Sequence, residues 1–397
     1  MAVMLSVGAG KEQVHAIRCA KRLGLRVVAL DANPSAPGFE YADESIGVDI
    51  KDKERVIEVA RRYGIRGVLP SPIGRYLTTI GAVNDALNLP GISEEAARRC
   101  ADKVMTHRVM SDNGVPCARQ RTARDLPGII RAVREIGPPC VLKPQYGSGS
   151  KGVVVIRTEE EAEDLARLHL EHRAGDEDSL VEELLGGEEY GIDGVVIDGR
   201  FRLILARKKI ITRYPYRQEL GYLAPDEPAD GRFAVIGGMM QAAVAAAGLD
   251  HCLVNADVLV DGDKAWLIEI TGRPAGQMTT EFMVPFVTGV DPIVEFIRHQ
   301  NGMDGDFAVK QARPMVFHFL AVPPGRVVSV PDREAIVRNP NVLRYASDIT
   351  PGDVLAEIRN GVDAYARGYV ATTGESVGHA LREAVAVIHQ FGVAQGG

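Results

Sequence analysis

A loop rich in glycine and serine, with a lysine on each side, is the part of the chain best suited to hold an anion. It covers residues 145–152, and Lys143 and Lys151 place positive charge beside Ser148 and Gly149. Runs rich in Val and Ile come before and after the loop, which predicts two strands joined by a hairpin tip. Backbone N–H groups in such a tip can wrap a phosphate chain. We therefore predict a mobile flap over phosphates; a hairpin tip without a ligand is the alternative.

The glycines of this loop also match two nucleotide-binding patterns, but neither pattern fits the surrounding sequence. Gly147, Gly149 and Gly152 have the spacing of a dinucleotide fingerprint. That fingerprint requires a helix after the glycines, because the helix N-terminus holds the pyrophosphate, whereas this loop leads into a strand. The loop also lacks the Gly-Lys-Ser/Thr ending of a P-loop. A nicotinamide-dependent oxidoreductase is therefore not indicated.

Two carboxylates on neighbouring predicted strands are suited to binding a divalent metal ion. Asp257 and Glu269 lie on either side of a turn at residues 261–263. A loop with an odd number of residues would put both on one face of the hairpin, followed there by Thr271 and Arg273. Oxygen donors of this kind suit Mg²⁺, and a fixed guanidinium stabilises a phosphoryl group in transfer. We therefore predict a magnesium site; a solvent-facing polar row is the alternative.

Carboxylates also interrupt an apolar run upstream of this hairpin. Glu182 and Glu183 come directly before Leu184 and Leu185, and Glu189 follows. A buried segment of this kind can offer backbone N–H and C=O groups to an adenine edge, while a carboxylate accepts hydrogen bonds from ribose hydroxyls. The charged end of a strand or helix explains the segment equally well.

Five cations fall within eleven residues of an acidic chain, namely Arg207, Lys208, Lys209, Arg213 and Arg217. Contact with phosphates or with an acidic substrate is favoured over a solvated basic face. Lys209 is a catalytic candidate. His169 and His172 lie three apart on a charged helix, where we expect solvated side chains.

Length and composition limit the classes of function. The 397 residues carry a net charge of -7 and a pI near 5.8, which argues against a nucleic-acid or acidic-membrane surface. The five cysteines form no CxxC pair, so neither disulfides nor a zinc site is indicated and a reducing cytosol fits. No stretch is long enough to span a membrane. A cytoplasmic protein is expected.

The order of strands and helices changes along the chain. Residues 1 to about 95 alternate strand and helix patterns, which predicts a parallel sheet with helices on its faces. Ser93 is a predicted N-cap, and one helix is expected to carry Asp102 and Lys103. From about residue 120 to 300 the flap hairpin lies between helices and antiparallel strands follow, with a hairpin turn at Asp198-Gly199.

In this order the features resemble the ATP-grasp superfamily, and particularly its carboxylate–amine ligases. The resemblance covers about residues 1–300, and Gly368-Tyr369-Val370 with Gly374-Glu375-Ser376 is similar to the C-terminal subdomain of amino-acid ligases. It implies a fold of class α/β and α+β. A pre-ATP-grasp, Rossmann-like domain is expected at residues 1–95, an ATP-grasp domain of two α+β subdomains at 96–305 with its lid at about 120–190, and a small C-terminal subdomain at 306–397.

The resemblance also implies a role for each matched residue. Lys103 and Lys143 bind ATP phosphates together with the flap residues Ser148, Gly149 and Lys151. Glu182, Glu183 and Leu185 frame the adenine, and Glu189 contacts the ribose. Asp257, Glu269 and Thr271 bind one or two Mg²⁺ ions, with Mn²⁺ as an alternative, and Arg273 is catalytic. Apart from the resemblance, Lys209 is a further catalytic candidate, and Arg213, Tyr216, Arg217 and Gln277 are candidates for substrate contact.

Two positions depart from the family pattern. Thr271 stands where the metal strand usually has Asn, and Asn255 stands where the preceding strand often has His. The implied reaction is phosphoryl transfer from ATP to a small carboxylate, followed by attack of an amine on the acyl phosphate. The alternatives are a bicarbonate-activating carboxylase, a formyl-phosphate-forming transferase, and an ATP-binding regulatory protein with a degenerate site. Homodimers are common in the family.

Overall fold

The computed structural model describes residues 2–147, 149–173, 175, 177–225 and 231–394. Ser148, predicted to bind phosphate, lies outside the described residues. The chain divides into two compact units. The first unit contains Met1–Cys117, Gly191–Ala206 and Asp230–Ala312, and the second contains Ala118–Tyr190, Arg207–Ala229 and Arg313–Gly397. The three consecutive domains expected from the sequence stay a prediction.

The strands and helices alternate over much of the chain. In chain order the strands are β1 Val3–Val7, β2 Arg26–Asp31, β3 Glu44–Gly47, β4 Gly67–Val68, β5 Gln120–Ala123, β6 Cys140–Pro144, β7 Val154–Ile156, β8 Ser179–Glu183, β9 Glu188–Ile197, β10 Arg200–Ile211, β11 Glu219–Ala224, β12 Cys252–Asp261, β13 Lys264–Thr271, β14 Met315–Phe319, β15 Gly325–Ser329, β16 Val342–Ser347, β17 Val354–Leu355, β18 Gly368–Thr373 and β19 Gly392–Ala394. The helices are α1 Val14–Arg22, α2 Lys53–Tyr63, α3 Leu77–Leu87, α4 Glu94–Ala101, α5 Lys103–Asp112, α6 Leu126–Ile136, α7 Ala162–His172, α8 Arg232–Ala247, α9 Val284–Thr288, α10 Pro292–Gln300, α11 Arg333–Arg338, α12 Gly361–Tyr365 and α13 Val377–Ile388.

The first unit begins with the parallel sheet that the alternating pattern predicts. Its strand order is β3-β2-β1-β4, and every pair in it is parallel. The central strands β1 and β2 are apolar on both faces, and Met4, Leu5, Val27 and Val28 are fully buried. Helices on both faces exclude water from such a sheet, which explains the continuous apolar runs. The mixed α/β fold class is confirmed.

The helix expected to carry Asp102 and Lys103 is in fact two helices, so this prediction was wrong in detail. α4 ends at Ala101, and Asp102 has an extended backbone with φ of -110° and ψ of 108°. The Asp102 carboxylate accepts hydrogen bonds from the N–H groups of Val104 and Met105, at 2.9 and 3.1 Å. An N-cap carboxylate satisfies the first amides of a helix, so Asp102 starts α5 and Lys103 is its first residue. Ser93 caps α4 as predicted.

The first unit also contains the antiparallel hairpin β12–β13, next to parts of β9 and β10. The strand order here is β13-β12-β9-β10, and β9 and β10 each continue into the second unit. Asp198 and Gly199 join β9 to β10 with φ of 51° and 70°. Two successive positive φ angles are typical of a type I′ turn, which Asp-Gly favours. The predicted hairpin turn is confirmed.

The second unit contains a sheet of order β5-β8-β6-β7, covered by α6 and α7. α6 has strong end signals in its sequence: the Asp125 carboxylate accepts a hydrogen bond from the Gly128 amide at 2.8 Å, Pro127 lies in the first turn, and Gly137 follows the last residue. Its apolar face, including Ile129 and Val133, packs on the sheet and excludes water from it. This small core holds the strands on both sides of the glycine loop.

The rest of the second unit is built on strands in the order β10-β11-β14-β18-β16, with β17-β15-β19 as a further sheet. α13 buries Ala380, Ala384 and Val387 against the strands of this region. Among the described residues, no helix has the length and apolar composition needed to cross a membrane. No disulfide joins the five cysteines, all of which are described.

Candidate functional site

The glycine loop lies between two antiparallel strands, as its sequence predicts. β6 pairs with β7 through Cys140–Ile156 and Leu142–Val154, so a strand, not a helix, follows the loop. Gly147, Gly149 and Gly152 have φ of 131°, 66° and 73°, a region that side chains with a Cβ rarely adopt. The glycines are therefore required by the path of the backbone. We call the described residues of this loop, 145–147 and 149–153, the flap.

His169 fixes the base of the flap, and the prediction that its side chain is solvated was wrong. The ring is fully buried because it shares the inner face of α7 with Ala162 and Ala166. Nδ1 lies 2.6 Å from the carbonyl oxygen of Gly152, and Nε2 lies 2.8 Å from Oγ of Ser179. A carbonyl can only accept, so Nδ1 carries the proton and Nε2 accepts from Ser179. Burial lowers the pKa of His169, although the Gly152 carbonyl opposes that shift.

The two carboxylates at the end of β8, Glu182 and Glu183, each form an ion pair with a basic side chain. Lys143 is buried, and its Nζ lies 2.7 Å from Oε2 of Glu182. Glu183 accepts hydrogen bonds from the amide and the guanidinium of Arg119, at 2.9 and 2.7 Å. Burial would raise the pKa of Glu183, but Arg119 holds it below the ordinary value. Leu185 follows in the irregular segment before β9, and the roles of these residues toward adenine and phosphate stay predictions.

A buried network joins Glu189 to two of the five clustered cations. Oε1 of Glu189 lies 3.1 Å from Nζ of Lys209, and Oε2 lies 2.9 Å from Nη2 of Arg217. Glu219 contributes a second carboxylate, 3.6 Å from Lys209. Burial alone would raise the pKa of Glu189, but Lys209 and Arg217 outweigh it and lower that pKa. A carboxylate held this way is a fixed, ionised acceptor.

The basic cluster is thus not a continuous solvated face. Lys208 pairs with Glu188, and Arg207 is buried with its guanidinium 4.1 Å from the centre of the Tyr222 ring. Arg213 is exposed. Tyr216 lies beside β7, the strand that follows the flap, because its backbone forms a bridge with Val154.

Asp257 and Glu269 are direct cross-strand partners in the first unit, as a shared metal ion requires. The connecting loop has only two residues, so an odd loop is not the cause. The register instead shifts by one residue between Asp257 and Val258, which pairs with Leu267, and Ile268 is the extra residue. A β-bulge of this type inserts one residue in one strand. It brings both carboxylates to one face, and Thr271 pairs with Asn255 on that same face, two pairs along the hairpin.

Arg273 lies close to the same carboxylates. Desolvation lowers the pKa of its guanidinium, while the charges of Glu269, Glu12 and Asp257 oppose that shift. Gln277, with φ of 54°, donates its amide to Glu12 at 3.3 Å. The first unit thus groups Asp257, Glu269 and Arg273 as predicted. Glu12 joins them without any signal in the sequence.

One further group in the first unit has side chains of the kinds that bind metals: His15, Cys19 and Asp291. Nε2 of His15 lies 3.4 Å from both Oδ2 of Asp291 and Sγ of Cys19. Burial would lower the pKa of His15, but the hydrogen bonds to Asp291 and Cys19 raise it to about 10. The ring is therefore protonated and forms an ion pair with Asp291, which leaves it unsuited to ligate a metal.

Two parts of the chain match models of known protein families. Residues 136–281 match the ATP-grasp domain, and residues 318–393 match the L-amino acid ligase C-terminal domain 2. The first match includes the flap, the Glu189 network and the Asp257–Glu269 pair. The second covers most of the strands and helices after β14.

Individual proteins show the same similarity. An uncharacterized protein of Sinorhizobium fredii, y4rH, is 26% identical over 381 residues, which cover 92% of this chain and 77% of that protein. Formate-dependent phosphoribosylglycinamide formyltransferase of Nitratiruptor sp. is 29% identical over 46% of this chain, which spans about half (47%) of that enzyme.

Solved structures match the whole chain. L-amino acid ligase from Bacillus licheniformis matches with a TM-score of 0.80 at 18% identity, covering 100% of this chain and 99% of that one. Phosphoribosylglycinamide synthetase from Anaerococcus prevotii matches with a TM-score of 0.72 at 19% identity, covering 100% of both chains. At these identities the likeness establishes the fold.

Proposed function

Because the chain contains an ATP-grasp domain and has the fold of ATP-grasp ligases, we propose that it is an ATP-dependent carboxylate–amine ligase. The C-terminal match to an amino acid ligase domain supports an amino acid as one of its substrates. The observation that carries the proposal is the β-bulge at Ile268, between the pairs of Asp257 and Val258. It places Asp257 opposite Glu269, and both charges act on the guanidinium of Arg273, so the group offers two carboxylates to a divalent cation and a guanidinium to a phosphate.

The donor set of that pair fits magnesium. Asp257 and Glu269 offer carboxylate oxygens from directly opposed positions, and Thr271 offers a hydroxyl on the same strand. These are hard oxygen donors, and Mg²⁺ in proteins uses one or two carboxylates together with substrate phosphates. Bound there, Mg²⁺ neutralises charge on the ATP phosphates. Thr271 in place of the usual Asn leaves the number of ions, one or two, as part of the proposal.

The second unit supplies the residues proposed to bind ATP. The flap covers the phosphates, and Lys143 adds a buried positive charge near its base. Glu189, fixed and ionised between Lys209 and Arg217, accepts hydrogen bonds from the ribose hydroxyls. Lys103, at the start of α5 in the first unit, is proposed as a further phosphate ligand.

The proposed reaction has two steps. A carboxylate oxygen of the substrate attacks the γ-phosphorus of ATP, the bond to the β-phosphate oxygen breaks, and ADP and an acyl phosphate form. The nitrogen of the amine then attacks the acyl carbon, phosphate leaves, and a proton is lost from nitrogen. Arg273 stabilises the negative charge that develops on the transferring phosphoryl group and on the departing phosphate. The closed flap protects the acyl phosphate from water.

ADP release from Mg·ATP in the presence of hydroxylamine tests the proposal. Panels of amino acids and small carboxylates are each incubated with the protein, and ADP and hydroxamate are measured together. One acid that yields equal amounts of both is the expected result, since hydroxylamine traps an acyl phosphate. An Arg273→Ala variant serves as the inactive control. Absence of ADP and hydroxamate with every acid, despite ATP binding, would refute the ligase proposal in favour of a regulatory protein.

Formate belongs in the same panel, because the sequence similarity to formate-dependent formyltransferases favours it as a second candidate substrate. Formyl hydroxamate as the only trapped product assigns the protein to that second function. Homodimer formation and a cytoplasmic location stay predictions from the sequence.

A further inference from the structure

The C-terminal part of the second unit contacts the tip of the flap directly. The amide of Gly361 donates a hydrogen bond to the carbonyl oxygen of Gly149 at 2.8 Å. More than 200 residues separate these two glycines in the sequence, counting from their numbers. The contact lies within the region that matches the ligase C-terminal domain, residues 318–393. It joins that domain to the element proposed to cover ATP.

The two backbones approach each other closely at Gly361. A Cβ on Gly361 would lie 3.2 Å from Cα and 3.3 Å from the carbonyl oxygen of Gly149. Those distances are tighter than ordinary carbon contacts, so a side chain would force the flap to move. Gly149 itself has φ of 66°. The close approach therefore favours glycine at position 361, whereas at position 149 the positive φ favours it.

A second contact supports the first. The Arg359 guanidinium lies 5.9 Å from the centre of the Tyr216 ring, within the range of a cation–π interaction. Tyr216 belongs to the segment that pairs with the outgoing strand of the flap: its backbone bridges Val154, and Pro215 accepts the amide of Val155 at 2.9 Å. Residues 359–361, which we call the clasp, thus contact the tip of the flap and the segment that pairs with β7, the strand after the flap.

We propose that the clasp positions the flap over ATP. Through this contact, the clasp couples the C-terminal domain to catalysis. The effect of the clasp on catalysis rests on the proposed function, whereas its contact with the flap does not. By holding the tip of the flap, the clasp reduces the number of open flap conformations before ATP binds. Breaking it is expected to weaken ATP binding and to let water reach the acyl phosphate.

Gly361→Pro removes the hydrogen bond and also adds a Cβ, with little effect on the helix. Gly361 is the first residue of α12, where proline is well tolerated, and the Asn360 cap accepts hydrogen bonds from Val362 and Asp363, not from Gly361. The variant therefore removes the N–H donor and keeps the cap. Arg333→Pro, at the equivalent first position of the exposed helix α11, is the matched control.

Gly361→Ala tests the close approach separately, since it keeps the amide and adds a Cβ. Its matched control is Gly378→Ala in α13, where the nearest atom to an added Cβ is 3.8 Å away. Arg359→Gln, at an exposed position, removes the cation–π contact and serves if the Gly361 variants fail to fold.

The readout that needs no catalysis is trypsin cleavage after Lys151, an exposed residue of the flap, followed by mass spectrometry without nucleotide. A hydrogen bond of ordinary net strength corresponds to a factor of about 2 to 10. We expect cleavage to be faster by that factor in Gly361→Pro and unchanged in Arg333→Pro. Equal rates of cleavage in these two folded variants would overturn the proposal that the clasp restrains the flap, whatever reaction the protein catalyses.

The catalytic readouts are KM for ATP and the ratio of ADP to hydroxamate. We expect both to rise about 2- to 10-fold in Gly361→Pro and Gly361→Ala, with the control variants at wild-type values. A lower kcat with unchanged KM and unchanged ratio would contradict a positioning role. The wild-type protein could form no ADP with any acid while Gly361→Pro is still cleaved faster than Arg333→Pro. In that case the proposed function fails, but the contact of the clasp with the flap is confirmed.

Discussion

The Asp257–Glu269 pair predicts that one substitution stabilises the protein and inactivates it. As cross-strand partners, the two side chains have their Cβ atoms about 5 Å apart. Two like charges at that distance repel by about 3 kcal/mol at an effective dielectric constant of about 20, and Arg273 offsets part of this. Like charges directly opposite in sheets cost up to about 1 kcal/mol. We therefore expect Asp257→Asn to raise the free energy of unfolding without metal by about 0.5–1 kcal/mol.

The same substitution is expected to lower Mg·ATP-dependent ADP formation by at least about 10²-fold, because a charged oxygen donor is lost. Urea unfolding in EDTA gives the stability, and unfolding at rising Mg²⁺ concentration shows whether the metal stabilises the wild-type protein more than the variant. Asp261→Asn, an exposed carboxylate at the tip of the same hairpin, is the control and should change neither quantity. A less stable Asp257→Asn protein, or one that keeps its activity, would refute the assignment of this pair as a metal site.

Three further predictions concern residues of both units. Arg273→Ala should lower kcat by about 10²–10³ with an unchanged circular dichroism spectrum; a smaller loss would place it outside the reacting groups. Lys143→Met should destabilise the protein by about 1–3 kcal/mol, because the partly buried Glu182 loses its cation. Adding Glu182→Leu should restore stability but not ATP binding, and restored binding would argue against a phosphate-binding lysine. His169 has a pKa below its ordinary value of 6.5, so its neutral form stabilises the fold fully above that pH and less as pH falls below it. Trypsin cleavage of the flap should therefore accelerate below pH 6.5 in the wild type and not in His169→Gln, and a flat pH profile in the wild type would contradict the role of the ring at Gly152.

Local sequence signals predicted much of the fold and part of the site. The flap hairpin follows from β-branched runs on both sides of glycines, and the Asp198-Gly199 turn follows from its two residues alone. The parallel sheet follows from alternation of strand and helix patterns. Each of these features depends on neighbours within a few residues, so the chain itself contains the necessary information.

Features that depend on register or on distant parts of the chain could not be predicted this way. The shared face of Asp257 and Glu269 was expected from the loop length, whereas a bulge at Ile268 produces it. His169 looked like a solvated residue because only the tertiary structure shows which face of α7 is buried. The contact of Gly361 with Gly149 joins segments whose sequences give no sign of each other.

The central claim, that ATP activates a carboxylate as an acyl phosphate, is tested most directly with a substrate acid labelled with ¹⁸O in its carboxyl group. After one round of amide or hydroxamate formation, the released phosphate is analysed by mass spectrometry. Attack of the carboxylate on the γ-phosphorus transfers one labelled oxygen to each phosphate, which is the result we predict. Phosphate without label, formed at the same rate as product, would contradict the acyl phosphate and with it the proposed ligase mechanism.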